Sequence, residues 1–159
     1  VTHRPLWGGA VKKVKKSSVL SASAEPSIIP FNIMMQAALR KTPAARLPDS
    51  VKLILSGHKH LFQSVSFLES KTGRPPQIII GNSGVSLNKS PEGIYKTVID
   101  SEVGSLHQLG KYGFFKITLN IDNSWQGDIL NKKGHSIVRC NSQNISMNQS
   151  VCEVDALGL

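Results

Sequence analysis

Short apolar runs separated by turn residues dominate the chain, and helical periodicity emerges only once. Over residues 32–41, Ile33, Met34, Ala37, Ala38 and Leu39 recur at the spacing of an amphipathic helix, with Asn32 placed to cap it and Pro43 just past its end. Leu47-Pro48-Asp49-Ser50 predicts a turn, and residues 51–55 a buried strand. Residues 61–68 alternate apolar and polar (Phe62, Val65, Phe67) and predict the next strand; 71–76 predict a turn around Gly73 and two prolines. Residues 77–80 predict a short apolar strand ending in Gly81-Asn82-Ser83-Gly84. Residues 112–120, 124–130 and 135–140 predict three further strands joined at Asp122-Asn123 and Lys132-Lys133-Gly134. Residues 1–7 fit a strand end and the loop after it, while 8–30 and 85–110 are expected to be loop-rich. One helix among many strands places the chain in the mixed α/β or α+β class, mostly β.

Composition adds bounds. The 159 residues are 40% hydrophobic and 18% charged, enough for one domain with a core, and no apolar run reaches the ~20 residues of a membrane helix. The formal charge of +9, from 19 basic against 10 acidic residues, favours anionic partners: phosphate esters, nucleic acid or acidic surfaces. Much of it is the local cluster Lys12, Lys13, Lys15 and Lys16, without interleaved aromatics, which a solvated loop explains. Cys140 and Cys152 permit one bridge, and two buried free thiols fit equally well. Asn144-Ile145-Ser146 and Asn148-Gln149-Ser150 match glycosylation acceptors, a pattern common by chance. Residues 1–141 are expected to belong to one domain and 142–159 to form a tail; the start at Val1, on a strand already under way, suggests part of a longer chain.

The candidate chemistry lies where the 51–55 strand ends, in Gly57-His58-Lys59-His60. Strand geometry sends side chains i and i+2 to one face, and two neutral imidazoles aimed at one point suit a divalent transition metal. A turn in which two polar residues happen to be histidine is the alternative. Gly57 favours the metal reading, since glycine allows a sharp bend where ligands converge. His3 precedes Arg4-Pro5, where proline holds its neighbour extended. His107 and His135, in polar, glycine-flanked contexts, are expected to be exposed.

Together, Val1-Thr2-His3-Arg4-Pro5, Gly57-His58-Lys59-His60, the helix before the second motif, Gln77-Ile78-Ile79-Ile80-Gly81-Asn82-Ser83-Gly84 and the closing strands from Gly113 resemble the C-terminal part of a calcineurin-like metallophosphoesterase domain. The resemblance is weakest at 8–30 and 85–110. It implies the C-terminal half of an αββα sandwich and a phosphate mono- or diester substrate. It also implies two divalent metal ions (manganese, iron or zinc), with His3 and His58 on one and His60 on the other. Paired metals clamp phosphoryl oxygens and activate water for in-line attack. Arg4 receives no role from any motif.

The family's earlier motifs, Asp-x-His, Gly-Asp-x-x-Asp and Gly-Asn-His-Asp or -Glu, do not occur in the sequence. The resemblance places them before Val1, in a missing N-terminal half of the domain. The chain by itself is then expected to be inactive, with an apolar sheet face left uncovered. Two other readings compete: a basic module that binds nucleic acid or anions without catalysis, and a mononuclear zinc site of His3, His58 and His60.

Overall fold

The computed structural model describes residues 1–12, 28–42, 46–68, 73–84, 86–143 and 151–154. The lysine cluster beyond Lys12, Pro43, residues 71–72 of the predicted turn and both glycosylation motifs lie outside them. The chain is mostly β with one short helix, α1 (Ile33–Arg40). A five-stranded sheet takes the order β3-β5-β4-β7-β6, formed by β3 (Ile54–Ser56), β4 (Phe62–Phe67), β5 (Gln77–Ile80), β6 (Gly93–Ile99) and β7 (Glu102–Leu109). Only β3 and β5 pair in parallel within it. An antiparallel four-stranded sheet comprises β8 (Phe114–Leu119), β9 (Trp125–Leu130), β10 (Ser136–Asn141) and β11 (Cys152–Val154). A ribbon of β1 (Gly9–Val11) and β2 (Ile28–Pro30) completes the described strands.

The two sheets stack face to face. Phe62, Ile78 and Leu109 of one pack with Trp125, Ile129, Val138 and the two cysteines of the other. Cys140 and Cys152 sit opposite each other on β10 and β11 and form a fully buried disulfide, which decides between the two readings of the pair. Trp7, Ile54, Val65, Phe67 and Leu106 build a second core on the other face of the five-stranded sheet, with Leu39 of the helix packed against it. That sheet is therefore covered on both faces, contrary to the bare apolar face expected. Exposed apolar side chains lie on α1, on the edge strand β6 at Ile94 and Val98, and on and beside the edge strand β8 at Tyr112, Phe114, Leu119 and Ile121.

Buried amides tie the N-terminal segment to the sheet. Gln77 Oε1 accepts from the backbone N–H of Leu6 (3.1 Å) and Trp7 (2.8 Å), and its Nε2 donates to Ser56 Oγ (2.8 Å). Gln63 bonds both backbone groups of Gly9 and donates to Gln108 Oε1 (2.7 Å), while Gln108 Nε2 donates to the Pro91 carbonyl (2.7 Å). All three glutamines are 0% exposed. A polar side chain on an inner strand face is tolerated because each of these finds its partners, chiefly on the N-terminal segment.

Several expectations need correction. Residues 85–110 are not mainly loop: β6 and β7 form a hairpin closed at Asp100-Ser101, both at positive φ (47° and 75°). Residues 8–30 contain the β1–β2 ribbon. The helix forms with its Asn32 cap, the side chain accepting from Met35 N–H, but it is rolled so that Ile33 and Met34 face out and Gln36 is buried. Polar tethers set that roll: Gln36 Nε2 donates to the Leu6 carbonyl (3.0 Å), and Arg40 pairs with the buried Asp100.

His107 is not exposed; it lies between the sheets beside Phe62. Burial pushes its pKa below 6.5, partly offset by a hydrogen bond to the Cys152 backbone and the charge of Glu92. With the folded pKa below the unfolded one, the unfolded chain takes up a proton first as pH falls. Stability from this residue is complete above about pH 6.5 and declines as pH drops through the lower, folded pKa. Urea midpoints across pH 7.5 to about 5 are expected to fall, and His107→Gln to flatten that slope; an unchanged slope in the variant would assign the acid sensitivity to other groups.

Candidate metal centre

The carboxyl end of β3 brings the first residues of the chain alongside it. Thr2 bridges Ser56 in parallel, with Thr2 N–H donating to the Leu55 carbonyl (2.8 Å) and Gly57 N–H to the His3 carbonyl (3.2 Å). Pro5 is buried behind them, and Gln77 holds Leu6 and Trp7. His3 is thereby fixed next to the turn that follows β3, although 55 residues separate it from His58.

His3 Nε2 lies 3.0 Å from His58 Nδ1, with the rings edge to face and centroids 4.8 Å apart. Both side chains are exposed. A nitrogen pair at this spacing either shares one N–H or presents two lone pairs to a common cation. Metal–nitrogen bonds of about 2.1 Å put two nitrogens about 3.0 Å apart at the right angle of octahedral coordination and about 3.4 Å apart at the tetrahedral angle. The spacing thus fits two adjacent ligands of one ion.

The turn is not built as the sequence suggested. Gly57 is absent from the positive-φ positions, and the left-handed residue is His58 itself, at φ 68°. Histidine visits this region more readily than most residues, and strained backbone of this kind concentrates at functional sites. Because residues 57–60 have left the strand, alternation no longer applies. His58 turns to His3, whereas His60 Nδ1 lies 3.1 Å from the Ser86 carbonyl. A carbonyl only accepts, so Nδ1 carries the proton and Nε2 keeps its lone pair, the orientation common among metal-ligating histidines. Among the described residues, no three metal-ligating side chains converge, which disfavours the mononuclear three-histidine site.

Two tight turns, Lys59 N–H to Gly57 carbonyl (2.9 Å) and Leu61 N–H to Lys59 carbonyl (2.8 Å), shape the peptide between the histidines. The loop after β5 braces it: Asn88 N–H donates to the His60 carbonyl (2.7 Å), and Gly81 lies so close that a Cβ there would overlap the Lys59 carbonyl. Asn82 is fully buried and donates to the Lys111 carbonyl (3.0 Å), anchoring this loop to the start of the second sheet. Desolvation, followed by the charges of Arg4, His3, Lys59 and His60, lowers the His58 pKa, which favours its neutral, metal-binding form. Every group whose charge acts on His58 is basic.

Sequence reasoning found the three histidines but not the Ser86 carbonyl, the Asn88 brace or the Phe31 ring, which lies 4.8 Å from Lys59 Nζ. Backbone groups of a distant loop leave no residue-type signal. Comparisons with family models, curated proteins and solved structures return no match for this chain.

Proposed function

We propose that this chain contributes the histidine side of a metal-dependent phosphoesterase centre. His3 and His58 would share one divalent ion, and His60, through Nε2, would serve a second. The observation that carries this reading is the 3.0 Å approach of His3 Nε2 to His58 Nδ1 across 55 residues of sequence. The stacked sheets, with the histidine turn at the end of a strand, are in keeping with the sandwich that the sequence motifs imply. Bound divalent metal supplies Lewis acidity toward phosphoryl oxygens and water of lowered pKa. The chain's own part is to hold two imidazoles adjacent, with that of His58 kept neutral, to fix the His60 tautomer, and to place basic groups around them. The family's earlier motifs, whose residues would supply a bridging aspartate and an asparagine ligand, do not occur in the sequence. The chain alone is therefore expected to bind metal without turnover, and hydrolysis to require those ligands from the rest of the domain.

Titration calorimetry with Zn²⁺ or Mn²⁺ tests the reading. His3→Ala and His58→Ala are each expected to weaken the tighter site by more than about 100-fold, beyond what loss of an outer partner costs. His60→Ala is expected to spare that site. Both histidines of the pair are exposed, so circular dichroism should show the variants folded. Equal affinity in wild type and His58→Ala would refute the shared-ion assignment.

A further inference from the structure

Among the arginines, the one beside the histidine pair differs from the others. Arg40, Arg46, Arg74 and Arg139 each pair with an aspartate or glutamate. Arg4 is the exception: among the described residues no carboxylate lies within ion-pair distance of it, nor of Lys59. The Arg4 backbone and the Lys59 ammonium are nonetheless held in place. Arg4 lies between His3, whose carbonyl is bonded to Gly57, and the buried Pro5, and its own carbonyl accepts from Thr2 Oγ1 (2.8 Å). The Lys59 ammonium rests 4.8 Å from the centroid of the Phe31 ring, a cation–π contact that limits its search of conformations. Phe31 is itself fixed by its N–H to the Gly8 carbonyl (3.0 Å).

We propose that Arg4 and Lys59 form an oxyanion anchor beside the His3–His58 pair, one that takes the dianionic phosphoryl group of a phosphomonoester in preference to a monoanionic phosphodiester. Arg4 brings a planar fork of donors matched to phosphoryl oxygens, and Lys59 a compact charge with three donors. Two uncompensated cations gain most from the ligand with the larger charge. The inference rests on the metal reading for its choice of a phosphate ester, but the anchor itself is made of side chains alone.

Calorimetry with methyl phosphate and dimethyl phosphate at pH 8 separates the possibilities, since the monoester carries two charges there and the diester one. Methyl phosphate is expected to bind at least about fivefold tighter than dimethyl phosphate, and Arg4→Met and Lys59→Met each to remove about fivefold. Arg4→Lys and Lys59→Arg are expected to restore part of the loss, which a folding defect would not allow. Equal affinity for the two esters, or methyl phosphate binding indifferent to both methionine variants, would overturn the anchor. Repeating the titrations with and without Zn²⁺ keeps the two claims apart. Zinc lost in His58→Ala with phosphate indifferent to Arg4 and Lys59 leaves the metal reading and removes the anchor. Methyl phosphate held by both cations in a chain that takes no zinc does the reverse.

Discussion

Gln77→Leu is expected to lower folding stability by about 2–5 kcal/mol, read as a fall in the urea midpoint at unchanged slope. Leucine fills most of the glutamine's volume, so the loss comes from polar groups rather than from a cavity. The substitution strands the backbone N–H groups of Leu6 and Trp7, both buried, and takes the donor away from Ser56 Oγ. A buried donor left without an acceptor costs about 1–3 kcal/mol, and Leu6, Trp7 and residue 77 are all buried. The effect is not confined to stability. Leu6 and Trp7 follow directly on His3-Arg4-Pro5, so their release loosens the segment that sets His3 against His58. Zinc affinity is expected to fall with the midpoint, although residue 77 touches neither histidine. Retention of both would show that Pro5 and the Thr2–Ser56 bridge hold the segment unaided.

Removing the disulfide, as Cys140→Ala with Cys152→Ala, is expected to lower stability by about 3 kcal/mol, the chain-entropy estimate for a short closed loop. The two cysteines are 12 residues apart and directly opposed on β10 and β11, so the bridge closes the strand pair itself. For a domain of this size that loss corresponds to a drop in Tm of about 6–12 °C. Scanning calorimetry of the double alanine variant measures it. Reduction of the wild type should reproduce the shift only after long incubation, because neither sulfur is exposed. The metal site should be indifferent, since the bridge lies in the four-stranded sheet and the histidine turn follows β3, at one edge of the five-stranded one. A variant that lost zinc binding at full stability would contradict this separation.

These two sites also show where the sequence speaks and where it is silent. β8, β9 and β10 are legible because apolar and polar residues alternate across a sheet with one solvated face, as in Trp125-Gln126-Gly127-Asp128-Ile129. β5 is legible from the apolar run Ile78-Ile79-Ile80. The β6–β7 hairpin is not, because β7 buries Ser105, His107 and Gln108, residues that hydropathy assigns to the surface. Its turn hides too, since Asp100-Ser101 adopts positive φ without the usual glycine. The roll of α1 follows from Gln36 and Arg40 finding partners on other elements, against an apolar stripe that pointed the other way. At the candidate site the motifs gave the three histidines. The pairing of His3 with His58 depends on a parallel bridge between segments more than fifty residues apart, which no local pattern encodes.

Gly81 carries a consequence for anyone who would move this site elsewhere. The histidine turn is short enough to graft, yet its shape depends on a neighbour that has no side chain at all. Any β-carbon at position 81 would push the Lys59 carbonyl, and with it the peptide that aims both flanking imidazoles. Gly73 and Gly84, where an added carbon meets open space, carry no such constraint beyond their backbone angles. A transplant of four residues would therefore fail in a host that lacks this vacancy. The portable unit is the turn together with the end of β5, two pieces of chain that fit because one of them leaves an atom out.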